Sequence, residues 1–78
     1  PATTITYALP DAEPVTLAIY DIRGALVRSL ISGTVSAGQH RVVWDGRDGR
    51  GRNVASGIYF CSMDAGGFRE TRRMVLLR

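Results

Sequence analysis

Apolar and polar residues alternate along most of this chain with a period of two. Thr4–Leu9 sets Ile5, Tyr7 and Leu9 on one side, and Val15–Tyr20 does the same with Val15, Leu17 and Ile19. Side chains of a strand point to opposite faces in turn, so each segment reads as a strand with one face buried. Between them PDAEP carries a proline at each end, Pro10 and Pro14, which withholds backbone donors and closes off a helix. Asp21-Ile22-Arg23-Gly24 reads as a turn, with an Asp that can bond its own backbone and a Gly that accepts positive φ.

Ala25–Ile31 follows as the return strand of a hairpin. Its sequence, ALVRSLI, also fits two turns of helix, since Leu26, Val27, Leu30 and Ile31 fall roughly on one side. The strand is preferred because the segment is too short for a self-supporting helix and its neighbours are extended. Ser32–Gly38 is small and polar and reads as a loop. Alternation resumes over Gln39–Trp44, with His40, Val42 and Trp44 on one face, and Gly57–Met63 reads as the next strand. Asp64–Gly67 predicts a short turn, and Phe68–Leu77 a closing strand that is polar as far as Arg73 and apolar from Met74 to Leu77. Six strands with turn signals roughly every eight to twelve residues, and no convincing helix, predict an all-β, small antiparallel sandwich. Trp44 and Ile58 are expected in the same core.

With 78 residues, the chain reads as one domain near the lower limit for a stable core, in which a deep enclosed active site is not expected. Its 45% hydrophobic and 22% charged residues are ordinary for a globular domain, and no apolar run approaches the ~20 residues of a membrane span. The chain starts at Pro1 without a basic-then-apolar leader and is expected to be a piece of a longer polypeptide. Cys61 is the single cysteine; it cannot pair within the domain and reads as a buried structural residue.

The formal charge of +3 comes from arginine alone, for the chain has no lysine. Arg47, Arg50 and Arg52 alternate with Asp45 and Asp48, and Arg69, Arg72 and Arg73 flank Glu70, so no long basic patch forms. Nucleic-acid binding is therefore not expected. His40 has no partner at a spacing that suits a metal or a catalytic triad, and it reads as a strand residue.

The densest cluster of polar residues is the loop in VVWDGRDGRGRNVASGIYF, Val42–Phe60. A calcium loop needs oxygen ligands at alternate positions and a Glu about twelve residues from the first. Counted from Asp45, those places hold Arg47, Gly49 and finally Ser56, and the guanidinium groups would repel a cation. A phosphate loop would run into a helix, whereas this one leads to Ile58-Tyr59-Phe60. The loop therefore reads as a crossover, with Asp45-Gly46 and Asp48-Gly49 as tight turns and Val54 pinning it to the core. No cofactor, metal or catalytic residue is expected. Trp44, Tyr59 and Tyr20 could line a sugar-binding face only if exposed, and aromatics in alternating strands belong more often to a core.

Several segments, in order, resemble one family: Thr3-Thr4-Ile5-Thr6-Tyr7-Ala8-Leu9-Pro10, Leu17-Ala18-Ile19-Tyr20-Asp21-Ile22-Arg23-Gly24, Val27-Arg28-Ser29-Leu30, Gly38-Gln39-His40, Trp44-Asp45-Gly46-Arg47-Asp48 and Ala55-Ser56-Gly57-Ile58-Tyr59. Together they look like the type A C-terminal sorting domains of the type IX secretion system, a family similar to the Ig-like domain of the flagellar hook-capping protein. The resemblance implies an Ig-like or fibronectin-III-like sandwich. Of the Asn-Pro-Phe-Asn-Pro segment that often opens the family, only Pro1 remains.

It further implies a structural signature at Tyr20, Asp21, Gly24, Trp44, Asp45, Gly46, Gly57 and Tyr59. It also implies a sorting signal at Arg72, Arg73, Met74, Val75, Leu76, Leu77 and Arg78. The expected function is then non-catalytic: residues 1–78 would direct an N-terminal cargo domain of the same chain through the outer-membrane secretion machinery, by way of the periplasm, to the cell surface or beyond. Two alternatives belong to other classes. One is a structural interaction or linker module like that of the hook-capping protein, and the other an accessory glycan-binding domain of a secreted hydrolase.

Overall fold

A computed structural model describes residues 2–78; Pro1 lies outside the described residues. The chain forms six strands, β1 (Thr3–Leu9), β2 (Glu13–Tyr20), β3 (Leu26–Val35), β4 (Gly38–Trp44), β5 (Gly57–Ala65) and β6 (Phe68–Leu76). They make two antiparallel sheets, one of β1 and β4 and one in the order β3-β2-β5-β6. The all-β sandwich read from the sequence is the observed fold, and ALVRSLI is extended.

The inward positions of both sheets meet in one apolar layer. Leu17 and Ile19 of β2, Trp44 of β4, Tyr59 and Cys61 of β5 and Leu76 of β6 form its centre. Leu9, Val15 and Ala65 make a second buried group at the other end. Ile5, Tyr7 and Val42, predicted on the inward faces of β1 and β4, are half-buried against the centre. Val54 packs there too and pins the crossover, as its isolated apolar character suggested.

The mixed pattern of Leu26–Ile31 has a specific cause. The β2–β3 register pairs Leu17 with Ile31, Ala18 with Ser29, Ile19 with Arg28 and Tyr20 with Leu26, so Leu30 and Val27 are extra residues at two bulges. Each bulge lets a further apolar side chain reach the core, where Val27, Leu30 and Ile31 all pack. A strand with two bulges loses its period of two and imitates a helical stripe.

Several boundaries differ from expectation. Ser32–Val35, read as loop, continues β3 and pairs with Glu13–Thr16, because Thr34 and Val35 are β-branched and Val35 packs on the second apolar group. Only Ser36 and Ala37 then separate β3 from β4. The strand expected to end at Met63 runs on to Ala65, leaving Gly66-Gly67 as the turn. Ile58 is not in the core with Trp44: it is 40% exposed, and alternation from Gly57 turns Tyr59 and Cys61 inward instead.

Candidate functional site

The crossover between β4 and β5 is built on aspartate turns. The Asp45 carboxylate accepts the N–H of Arg47 at 3.0 Å and a guanidinium N–H of Arg28 on β3 at 3.2 Å. Asp48 accepts the N–H groups of Arg50 and Arg52 at 2.9 and 3.0 Å and the Arg52 Nε–H at 3.1 Å. The Arg52 backbone N–H bond is the largest cause holding the Asp48 carboxyl below its ordinary value, with the Arg50 N–H and the Arg52 charge adding to it.

The β2–β3 turn repeats this design. Asp21 accepts the N–H groups of Arg23 and Ala25, both at 2.9 Å. In both turns the aspartate N–H donates to the carbonyl four residues on, and a glycine three residues on donates to the aspartate carbonyl. Those glycines, Gly24 and Gly51, have φ of 83° and 79°, values that an L side chain adopts only with strain. Asp48-Gly49 is therefore not the tight turn expected; the residue with left-handed φ is Gly51. The shared signal is Asp-x-x-Gly-x, which dipeptide reading overlooks.

The crossover is fastened at several points. Trp44 Nε1–H donates to the Arg47 carbonyl at 3.0 Å, the Tyr59 hydroxyl to the Ala55 carbonyl at 2.7 Å, and the Gly49 N–H to the Val27 carbonyl of β3 at 3.0 Å. Gly46, buried with φ 75°, gives its carbonyl to the Val54 N–H and to the Arg78 guanidinium. Arg78 also donates to the Val54 carbonyl and, through its N–H, to Ser56 Oγ at 2.9 Å. Both aspartates of the crossover thus accept N–H and guanidinium donors.

Six of the eight residues of the expected signature serve either the core or the turns. Trp44 and Tyr59 are core, and Asp21, Gly24, Asp45 and Gly46 are turn residues. Gly57 opens β5 opposite Leu76, and Tyr20 stands half-buried on the other face of its sheet. With Trp44 and Tyr59 enclosed, the sugar platform of three aromatics does not form.

The segment Arg72–Arg78 does not present one surface. Arg72, Met74 and Leu76 pair with Cys61, Tyr59 and Gly57 and lie on the inner side of β6. Leu76 is buried, Met74 packs on the core, and Arg72 is held by Glu70 at 2.6 Å. Arg78 is bound to the crossover. Arg73 and Val75, by contrast, lie on the outer side, across from Phe60 and Ile58, and Val75 and Leu77 are 57% and 75% exposed.

On the same outer side, Thr16, Ala18, Ser62 and Thr71 line an open trough of about 450 Å³ between Tyr20 with Phe60 at one end and the Asp64–Arg69 ion pair, 2.8 Å, at the other. The carboxylate of Asp64 raises the Arg69 pKa, first through their hydrogen bond. His40 is a structural residue: Nε2 donates to the Ser36 carbonyl at 2.7 Å, and the ring stacks on Tyr7 with centroids 5.3 Å apart. Burial raises both the Tyr7 hydroxyl and the Cys61 thiol.

The family model of the FlgD Ig-like domain matches residues 2–67. Among solved structures, FlgD from P. aeruginosa superposes with a TM-score of 0.74 at 24% identity, covering 97% of this chain and 61% of that one. This chain therefore spans about three-fifths of the length of that protein, and at such identity the likeness speaks for the fold alone. No curated protein shows significant similarity to the sequence. The match runs through β1–β5 and includes both aspartate turns, Trp44 and the crossover, and the chain belongs to the FlgD Ig-like domain family.

Proposed function

We propose that this domain is a non-catalytic interaction module, a stiff β-sandwich that serves a larger protein by docking and positioning. The family match over residues 2–67 carries this reading. The chemistry of the side chains agrees with it. Asp21, Asp45 and Asp48 are consumed by turns, His40 by Ser36, and Cys61 by the core, so the polar residues serve the scaffold. The test is to replace the domain, in the full-length protein, by an unrelated β-sandwich of equal size. Loss of the protein's normal position and assembly, with the remainder folded, is expected; unchanged assembly would overturn the reading.

A second reading keeps the sorting role suggested by the ordered motifs from Thr3 to Tyr59. It is supported by the exposure of Arg73, Val75 and Leu77, and it narrows the signal to those residues, since Arg78 and Leu76 are engaged within the domain. Under this reading, the domain fused to a passive reporter carries it out of a cell that has the type IX machinery, through the outer-membrane export apparatus, and charge reversal at Arg73 stops export. A reporter that stays in the periplasm would remove the sorting role and leave the interaction module standing.

A further inference from the structure

The exposed apolar side chains are not scattered. In the four-stranded sheet, register places Leu26, Tyr20, Phe60 and Arg73 in one row across β3, β2, β5 and β6. Ile58 and Val75 form the adjacent row, and Leu77 follows directly. Leu26, Ile58, Val75 and Leu77 are all exposed, and they surround the half-buried Tyr20 and Phe60. Contiguous apolar surface of this kind on a small domain marks an interaction site more often than chance exposure.

The charge of the patch narrows its partner. Arg73 stands at the end of the aromatic row without an ion pair or hydrogen bond among the described residues, whereas Arg28, Arg52, Arg69 and Arg72 each hold a carboxylate. Of the two carboxylates bordering this face, Asp64 is taken by Arg69 and Asp21 by the N–H groups of its own turn. A second copy of the chain docked by a two-fold axis through these rows offers Arg73 no carboxylate: it meets its own equivalent where the axis passes through it, and apolar or aromatic side chains of the rows elsewhere. A sugar would meet Ile58 and Val75, which offer its hydroxyls no hydrogen bonds. A lipid surface needs more than one guanidinium beside a modest apolar area.

Resting on the interaction-module reading, we propose that this outer face of the four-stranded sheet docks a protein surface of apolar side chains with a carboxylate placed over Arg73. The apolar rows supply contact area, and the desolvated Arg–carboxylate pair supplies orientation.

The test is an NMR titration of the chain with a short peptide of alternating Leu and Glu, and with its Leu-Lys counterpart. The Leu-Glu peptide is expected to shift the amides of Ile58–Phe60 and Arg73–Leu77, with the Leu-Lys peptide weaker by about tenfold or more. Arg73→Glu should reverse that preference and Val75→Asp should abolish binding, both with an unchanged melt because the positions are exposed. Equal binding of the two peptides, or shifts spread over both sheets, would overturn the proposal. So would dilution-dependent shifts of the same amides without peptide, shifts induced by cellohexaose, or co-sedimentation with anionic phospholipid vesicles, which would identify a second copy, a glycan or a membrane as the occupant. A failed titration beside a domain replacement that still disrupts assembly would reject this face while retaining the module.

Discussion

The indole of Trp44 stands edge-on to the ring of Tyr59, centroids 5.3 Å apart at 66°, and both rings send their one polar atom to the same crossover. Nε1–H reaches the Arg47 carbonyl near its start, and the hydroxyl reaches the Ala55 carbonyl near its end. An aromatic pair at the centre of the core thereby fixes both limbs of a loop that has little apolar content of its own. The Tyr59 bond, from a strand back to the backbone a few residues upstream, has the geometry of a tyrosine corner.

Trp44→Ala should cost roughly 3–5 kcal/mol through the cavity left in the core, enough to unfold a domain this small. Tyr59→Phe keeps the ring and loses only the hydroxyl bond, at about 1 kcal/mol. Denaturant melts of the two variants separate the packing contribution from the tether. A Trp44→Ala variant that melts like the parent would place the ring outside the core.

The common design of the two aspartate turns predicts a common penalty. Gly24→Ala and Gly51→Ala each force an L side chain into left-handed φ, with open space around the added methyl group, so backbone strain alone should cost about 1–2 kcal/mol in both. Melts that differ widely between the two would show that the turns are not energetically equivalent.

Asp48 makes the crossover sensitive to acid. Its folded pKa is depressed, so its contribution is present above the unfolded aspartate value of about 3.9 and is lost as pH falls from there through the lower folded value. Asp48→Asn should therefore destabilise the domain at neutral pH and differ progressively less from the parent below that value. A constant gap across the acid range would assign the turn's stability to something other than the carboxylate charge.

Cys61 reports on global opening. It is buried and its thiol pKa is raised by burial, so alkylation at neutral pH should be slow in the native state and should follow the unfolding transition in denaturant. Rapid alkylation without denaturant would mean that β5 opens locally.

The strand pattern and most inward faces were legible because alternation is a direct record of a half-buried sheet, as in Ile5-Tyr7-Leu9 and Val15-Leu17-Ile19. It failed where the backbone departs from regular pleating. The bulges at Val27 and Leu30 erased the period, and Gly33 concealed the continuation of β3 beneath a loop-like composition. The face of β5 was misassigned at Ile58 because Ile58-Tyr59-Phe60-Cys61 is an unbroken apolar run, with no period of two from which to choose a face. The outer patch could not be read along the chain, since Tyr20, Phe60, Arg73 and Leu26 become neighbours only through register across four strands.

The pairing order of the sheets also governs how the domain comes together in time. β2 with β3, and β5 with β6, are local hairpins that can close within microseconds. The remaining ladders, β1 with β4 and β2 with β5, join distant parts of the chain, and each encloses strands that belong to another ladder. Neither can gain its contacts before the intervening segment has lost its freedom, which places folding on the slow, millisecond-to-second side of small domains. During that interval both faces of the four-stranded sheet are exposed together; β2 meeting β5 completes that sheet, but only the packing of the β1–β4 sheet, with Trp44, over one face covers the core and leaves the outer rows open.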